Sequence, residues 1–271
     1  MPLDWLTAQP VAHRGLHDAA RGVIENTPSA FEAAIAGGFG IECDVQLSRD
    51  GEAMVHHDGA LGRLTIGSGP LSALTAAELK IVDFRDSADH MLTLGELCAL
   101  VAGRVPLLVE IKSRFDGDMA LTRRVAEVLA GYSGPAAAMS FDPGPVAWLR
   151  AHAPALTRGI VAERHYDHAE WSAMSAAQRR HLAFLLHAPR TRPQFVAWAV
   201  RDLPSAAPLV AQYLFGLPLL TWTVRTAEDR QRAARWADQP IFEGYWPDAP
   251  RNTASSGGVL PAPPPDQGPP P

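Results

Sequence analysis

The chain has 271 residues, of which 47% are hydrophobic and 20% are charged. This composition is ordinary for a soluble globular protein and excludes a wholly disordered chain. The 24 Lys and Arg residues against 29 Asp and Glu residues give a net charge of −5 with neutral histidines. Because the balance is acidic and no dense basic run occurs, we expect no nucleic acid partner.

The sequence also bears on location. No uncharged apolar run approaches the roughly 18 residues that suggest a transmembrane helix, so we expect no integral membrane segment. Residues 1–14 lack a basic region followed by an apolar stretch. Two cysteines, Cys43 and Cys98, are too few for a disulfide framework and suit a reducing compartment. The expected location is the cytoplasm, and the sequence leaves the oligomeric state open.

Short β-rich runs alternate with amphipathic stretches, a pattern typical of βα units with a parallel sheet. Eight segments are predicted as strands: 10–13, 40–45, 106–112, 136–141, 157–162, 182–187, 219–224 and 240–243. Six segments are predicted as helices: 28–37, 117–130, 143–152, 169–181, 205–215 and 226–236. Eight strands in this alternation predict an α/β fold, a closed (β/α)₈ TIM barrel within residues 1–251.

The composition changes abruptly after this predicted domain. Between residues 252 and 271, seven of the twenty residues are Pro, three are Gly and none is aromatic. Such a segment has little apolar surface to bury, so we expect a disordered Pro-rich tail.

One segment breaks the βα rhythm just after the second predicted strand. The turn Arg49-Asp50-Gly51 is too short for a parallel crossover but suits a β-hairpin between residues 45–47 and 53–55. The hairpin brings residues 56–58 back opposite residues 42–44. A small insertion then runs to Thr93, with a capping box that starts at Thr75 and a helix over 93–101.

Carboxylates are predicted to converge at the ends of two strands. Because side chains alternate along a strand, Glu42 and Asp44 lie on one face, and Glu110 and Lys112 lie together on another strand. A charge inside a covered sheet is costly unless it is paired or binds a metal. The three carboxylates therefore indicate an oxygen-rich site for Mg²⁺ or Ca²⁺. The alternative is a structural salt bridge between Glu110 and Lys112, with Glu42 facing solvent.

Two further segments carry residues suited to phosphate chemistry. His13-Arg14-Gly15 ends the first predicted strand, at the end of the barrel where (β/α)₈ enzymes carry their active-site loops. A histidine can transfer a proton, and an arginine can bind phosphate oxygens. In Glu25-Asn26-Thr27-Pro28, Thr27 is predicted to precede a helix whose first residue is Pro28, which leaves Glu25 and Asn26 free to face the barrel mouth. Taken alone, a His-Arg pair in a loop is more often an exposed, solvated turn than part of a site.

The end of the hairpin adds a second histidine. His56 and His57 are adjacent, so they point to opposite faces of the strand and only one can enter the site. Alternation alone does not select between them.

The order of nine short motifs resembles that of the glycerophosphodiester phosphodiesterase family, from about residue 10 to residue 250. They are His-Arg-Gly, Glu-Asn-Thr, Ile-Glu-x-Asp-Val, Arg-Asp-Gly, Val-x-His-Asp, Leu-x-Arg-Leu-Thr, Glu-Ile-Lys, Ser-Phe and Thr-Trp-Thr-Val. The chain departs from the family near the last strand, where Thr-Asp-x-Pro is usual and this sequence reads Phe-Glu-Gly-Tyr-Trp-Pro over residues 242–247.

The resemblance implies a metal-dependent (β/α)₈ barrel that hydrolyses a small glycerophosphodiester substrate to sn-glycerol 3-phosphate and an alcohol. It implies three groups of site residues: the metal ligands Glu42, Asp44 and Glu110, the acid-base pair His13 and His57, and the phosphate contacts Arg14 and Lys112. The Val-x-His-Asp motif is what favours His57 over His56.

Aromatic residues near the predicted barrel mouth are further candidates. Trp222 is a candidate for binding the alcohol or glycerol part of the substrate, as is Trp246, although an aromatic near a barrel rim is often only packing. Two alternative functions stay open. One is a related barrel phosphodiesterase acting on lysophospholipid or phosphosphingolipid headgroups, and the other is a phosphate-binding barrel without catalysis. The presence of both histidines favours an enzyme.

Overall fold

The computed structural model describes residues 3–247, apart from the side chain of Glu170. Within this range the strands are β1 (Val11–Ala12), β2 (Gly40–Leu47), β3 (Ala53–Val55), β4 (Ala60–Leu61), β5 (Gly69–Pro70), β6 (Leu107–Ile111), β7 (Ala136–Ser140), β8 (Thr157–Ala162), β9 (Phe195–Ala199), β10 (Leu219–Val224) and β11 (Gln239–Phe242). The helices are α1 (Pro28–Ala36), α2 (Ala76–Lys80), α3 (Leu94–Val101), α4 (Ala120–Ala130), α5 (Pro143–His152), α6 (Ala176–Ala183), α7 (Ala188–Thr191), α8 (Ala206–Phe215) and α9 (Ala227–Trp236).

Eight of these strands close into a parallel barrel. Along the sheet they follow the order β1, β2, β6, β7, β8, β9, β10 and β11, and β1 pairs in parallel with both β2 and β11. Helices connect successive strands around the outside. The predicted TIM barrel is therefore confirmed.

The hairpin after the second barrel strand is also present. β3 runs antiparallel to β2, with Val45 opposite Val55 and Leu47 opposite Ala53. The insertion that follows holds β4, β5 and α2, and α3 comes next. A capping box starts α2 at Thr75, as the sequence predicts. The helix predicted over 93–101 is α3, and it also starts with a capping box, at Thr93.

One predicted strand is wrong. Residues 182–187 lie at the end of α6 and in the turn before α7, and the corresponding barrel strand is β9, Phe195–Ala199. The helix predicted over 169–181 is also shifted, because a 3₁₀ turn at Ala169–Trp171 comes first and α6 ends at Ala183. A capping box between Ser175 and Gln178 starts α6, which takes in only Leu182 and Ala183 of the predicted strand, and residues 184–187 form the turn that follows.

The alternation of side chains along the barrel strands divides the core into two layers. On β2, Ile41, Cys43 and Val45 pack outward beneath the helices, whereas Glu42 and Asp44 point into the barrel. Phe195 fills the interior: a Cβ on Gly159 would lie 2.2 Å from its ring. The barrel is thus a packed core whose polar side chains are concentrated at one end.

No helix within residues 3–247 has the length and apolar character needed to cross a bilayer. The predicted tail, residues 252–271, and the domain end at residue 251 lie outside the described residues.

Candidate active site

A cavity of about 280 Å³ opens at the carboxyl ends of the barrel strands. It brings together all the predicted site residues except Asp44, which lies buried beside it. The predicted residues that line it are His13, Arg14, Glu42, His57, Glu110, Lys112 and Trp222.

The three predicted metal ligands form a compact buried cluster. Asp44 on β2 lies directly opposite Glu110 on β6 in the sheet register. One oxygen from each of Glu42, Asp44 and Glu110 lies within 4.8 Å of the others, and the three residues are 1%, 1% and 7% exposed. Among the described residues, Oε1 of Glu42 has no hydrogen-bond partner. A buried, all-oxygen ligand set with an unpaired carboxylate oxygen fits a hard divalent cation.

The electrostatics of the cluster are unequal. Burial, together with the charges of Asp44 and Glu110, raises the pKa of Glu42 well above its usual value. Burial also acts to raise the pKa of Asp44, but Lys112 and Arg14 outweigh it and hold that pKa below its usual range. A bound cation would offset the repulsion that Glu42 experiences.

Two cations complete this part of the site. Lys112 Nζ lies 2.8 Å from Asp44 Oδ1 and 2.5 Å from Glu110 Oε1. Arg14 Nε lies 3.2 Å from Asp44 Oδ2. The alternative interpretation had two parts. The predicted salt bridge between Glu110 and Lys112 is present, but the prediction that Glu42 faces solvent is wrong, since Glu42 is buried.

His13 stands at the end of β1 between two carboxylates. Its Nδ1 lies 2.8 Å from Glu243 Oε2, and its Nε2 lies 3.9 Å from Glu42 Oε2. Burial lowers the pKa of His13 to about 4, with Arg14 acting in the same direction. The imidazole is therefore neutral at pH 7, and the carboxylate at Nδ1 selects the tautomer with the proton on that nitrogen.

The structure places His57, and not His56, in the cavity. His57 Nδ1 lies 2.8 Å from Asp58 Oδ1. His56 is 2% exposed and packs beside Phe84, with ring centroids 6.4 Å apart. The backbone N–H of His56 donates to the Asp44 carbonyl at 3.0 Å, which continues the hairpin ladder and fixes which histidine faces inward.

The loop before α1 supports the carboxylate cluster from outside. Asn26 Nδ2 donates to Asp44 Oδ2 at 2.9 Å, and Asn26 adopts a left-handed φ of 59°. Glu25 accepts from Arg14 at 2.7 Å. Thr27 precedes α1 as predicted, but its hydroxyl donates to the Ile24 carbonyl and makes no cap to the helix.

Glycine is required in the His-Arg-Gly motif. Gly15 has a φ of +79°, and a Cβ there would lie 2.8 Å from the backbone of Ala30 in α1. Another residue would force the loop that carries His13 and Arg14 away from the helix.

The two candidate tryptophans differ in position. Trp222 lines the cavity, donates from Nε1 to the Ala197 carbonyl at 3.1 Å, and packs 5.4 Å from Phe141. Trp246 packs against Phe39 and is not part of the cavity wall.

Sequence reasoning missed four polar residues that line the cavity, Glu163, His168, Thr223 and Arg225, of which Glu163 is the most buried. Glu163 follows β8, is 1% exposed, and accepts from Trp171 Nε1 at 2.5 Å and from Arg201 Nη2 at 2.6 Å. The signal was available, because a carboxylate just after a barrel strand meets the criterion that selected Glu42 and Glu110.

The fold and this cavity define a (β/α)₈-barrel protein with an acidic, histidine-containing site at the carboxyl ends of its strands. The sequence model of the glycerophosphoryl diester phosphodiesterase family matches residues 13–243. The chain therefore belongs to that family.

Known proteins that are similar agree with this assignment. A Mycobacterium tuberculosis protein named "Probable glycerophosphodiester phosphodiesterase 1" is 34% identical over 177 residues, which cover 56% of this chain and 64% of that protein. A phosphodiesterase from Oleispira antarctica, solved with the product sn-glycerol-3-phosphate, superposes with a TM-score of 0.70 at 21% identity and covers 87% of this chain and 92% of that one. A glycerophosphodiester phosphodiesterase from Thermotoga maritima superposes with a TM-score of 0.64 at 24% identity and covers 86% of this chain and 92% of that one. The chain thus spans just under two thirds of the mycobacterial relative and most of each solved barrel.

Proposed function

We propose that this protein is a phosphoric diester hydrolase that cleaves glycerophosphodiesters to sn-glycerol 3-phosphate and an alcohol. The observation that carries the proposal is one cavity in which His13, His57, Arg14 and Lys112 stand beside a buried carboxylate cluster. Glu42 and Glu110 of that cluster line the cavity, and Asp44 lies next to them. Membership of the family supports it, as does the product bound to the Oleispira antarctica relative. A barrel that only bound phosphate would have no use for two oriented histidines.

The metal would be held by Glu42, Asp44 and Glu110, and the hard oxygen ligands favour Mg²⁺ or Ca²⁺. When bound, such an ion supplies electrostatic stabilisation of the charge that gathers on the non-bridging phosphate oxygens. Arg14 and Lys112 add fixed positive charge on the same side of the cavity.

The histidines divide the proton transfers. His13 is neutral at pH 7 with Nε2 unprotonated, so it is suited to take the proton from the attacking hydroxyl. His57 then donates a proton to the leaving oxygen. Trp222, which lines the cavity opposite the carboxylates, would contact the glycerol or the alcohol.

The test is hydrolysis of glycerophosphocholine, followed as release of sn-glycerol 3-phosphate, with and without EDTA. We expect turnover that requires a divalent cation and that falls by at least about 10² in His13→Ala and His57→Ala. The exposed His152, on α5, serves as the control, and His152→Ala should behave as wild type. Equal turnover in all three variants would refute the proposal.

A second candidate substrate, a lysophospholipid, is favoured by cavities that adjoin the first. A cavity of about 320 Å³ shares Glu110, Lys112, Phe141 and Trp171 with the first one. It shares Phe115, Met174 and Gln178 with a third of about 360 Å³, whose wall also includes Leu182 and Pro143. The far end of this path carries the apolar side chains of Phe115, Met174, Leu182 and Pro143 together with the polar ones of Gln178, His181 and Arg190. Its apolar part would suit a glycerol that carries an acyl chain.

The two substrates are distinguished by Met174→Glu, which puts a charge into the apolar part of this path. For a lysophospholipid substrate, the variant should lose at least about tenfold in kcat/KM on lysophosphatidylcholine, an amount equal to about 1.4 kcal/mol, and keep its activity on glycerophosphocholine. Val210→Glu, on the exposed face of α8, is the control. No hydrolysis of the lysophospholipid by wild type would exclude this candidate.

We also propose the cytoplasm as the compartment. Cys43 and Cys98 are both buried and unpaired, which is common in proteins of reducing compartments.

A further inference from the structure

The departure from the family pattern falls on a residue that contacts a candidate catalytic group. β1 and β11 pair with Ala12 opposite Phe242, so the next residues, His13 and Glu243, leave the two strands side by side. The backbone N–H of His13 donates to the Phe242 carbonyl at 2.9 Å, which extends the pairing by one step. The Glu243 side chain is therefore placed by the barrel itself.

The contact defines one nitrogen of the imidazole. Glu243 Oε2 lies 2.8 Å from His13 Nδ1, and an ionised carboxylate only accepts hydrogen bonds, so Nδ1 is the nitrogen that carries the proton. Nε2 is then left without a proton and lies towards Glu42 in the cavity. A carboxylate behind a histidine in this way sets both its tautomer and its orientation.

Glu243 is itself held by a cation. Arg225 Nη2 donates to the same Oε2 of Glu243 at 2.9 Å, and the Glu243 backbone N–H donates to the Val224 carbonyl at 3.0 Å. Through its contacts with Arg225 and His13, Glu243 thus connects the ends of β10, β11 and β1.

The other histidine has the same arrangement. His57 Nδ1 meets Asp58 Oδ1 at 2.8 Å, and Arg63 Nε donates to Asp58 Oδ2 at 2.6 Å. Each candidate catalytic imidazole therefore has an arginine-bound carboxylate at Nδ1. This recurrence distinguishes Glu243 from a salt bridge that serves stability alone.

We propose that Glu243, held by Arg225, is a positioning residue that keeps His13 in the Nδ1–H tautomer with Nε2 facing the reacting phosphate. The inference rests on the proposed function for its effect on turnover, although the effect on the imidazole is independent of it. Glu243 lies in the segment 242–247, where this chain departs from the Thr-Asp-x-Pro that is usual in the family.

The experiment compares Glu243→Gln and Glu243→Ala with Glu52→Gln. Glu52 is a matched control because it forms a similar pair with Arg124, at 2.9 Å, and its side chain is 24% exposed against 21% for Glu243. It has no contact with His13. Both glutamine variants should therefore change stability by a similar small amount.

The readouts are kcat and KM for glycerophosphocholine, and the His13 tautomer from ring-nitrogen NMR. We expect kcat to fall about 10- to 100-fold in Glu243→Ala with KM within twofold, since orientation is lost and binding is kept. Glu243→Gln should retain more activity, because its amide oxygen can still accept from Nδ1. The Nδ1–H form should dominate in wild type and Glu52→Gln, and the Nε2–H form should appear in Glu243→Ala.

Two results would overturn the inference. One is an unchanged His13 tautomer in Glu243→Ala, and the other is a kcat that falls no further than in Glu52→Gln. A wild-type protein that is inactive on every glycerophosphodiester would refute the proposed function, while the NMR comparison would still decide the role of Glu243.

Discussion

The two adjacent histidines of the hairpin should respond to mutation in opposite ways. His57 is 29% exposed on its side chain and lines the cavity, whereas His56 is 2% exposed and packed beside Phe84. His57→Ala removes the proposed proton donor and little packing. His56→Ala removes packing and no group that faces the cavity.

The magnitudes follow from these positions. A general acid or base contributes about 10² to 10⁴ in rate, so His57→Ala should raise the barrier by about 3 to 5 kcal/mol. Emptying the buried His56 position should cost about 2 kcal/mol of unfolding free energy. In a barrel of this size that corresponds to a fall in Tm of about 4 to 8 °C, whereas His57→Ala should leave Tm nearly unchanged.

The assay is kcat on glycerophosphocholine at saturating metal, together with thermal unfolding of each variant. His13→Ala should resemble His57→Ala, and the double mutant should lose less than the product of the two, because coupled groups act as a unit. If His56→Ala lowers kcat strongly and His57→Ala leaves kcat almost unchanged, the hairpin faces the cavity with its other side and the assignment of the site is wrong.

Three further outcomes are expected. EDTA should abolish hydrolysis, and Mg²⁺ or Ca²⁺ should restore it. In EDTA, Glu42→Gln should be at least as stable as wild type, because the substitution removes a buried charge that its neighbours repel. Added metal should raise the Tm of wild type but not that of Glu42→Gln. Burial lowers the pKa of His187 from 6.5 to about 4, so unfolding below pH 6.5 takes up a proton and the protein becomes less stable as the pH decreases. In urea denaturation, this histidine should account for a decrease of about 2 kcal/mol in the free energy of unfolding between pH 7.5 and pH 5, and His187→Gln should lack that decrease. Truncation after Arg251 should change neither Tm nor turnover, and a loss of several degrees would show that the removed segment docks.

Much of the barrel could be predicted because strand ends, helix caps and the hairpin turn are local signals. The one wrong strand shows the limit of such signals. The run Leu182 to His187 is short and apolar, and a run of that kind is equally consistent with a strand or a buried helix segment. In the structure this run divides between the end of α6, which starts at the capping box on Ser175, and the turn before α7, and Phe195–Ala199 is the barrel strand instead.

Alternation along strands similarly predicted that Glu42 and Asp44 share a face, but not how their charges are balanced. The contact of Asp44 with Lys112 and that of His13 with Glu243 join strands that are far apart in the chain. Such contacts depend on which strands become neighbours on closure and on the length of each side chain. No local pattern in one sequence encodes either, so Glu243 was recognised only as a departure from the family motif.

The pairing of the first strand with the last has a consequence for how the barrel is made. His13 and Glu243 are 230 positions apart, so a growing chain exposes His13 long before its partner is synthesised. At about 5 to 20 residues per second, that interval is on the order of 10 to 50 seconds. During this time β1 has no β11 to pair with, and the nascent chain carries an open sheet edge. A ribosome-bound chain halted before residue 239 would hold almost every polar group of the cavity but would lack β11 and Glu243, so the barrel would stay open between β1 and β10.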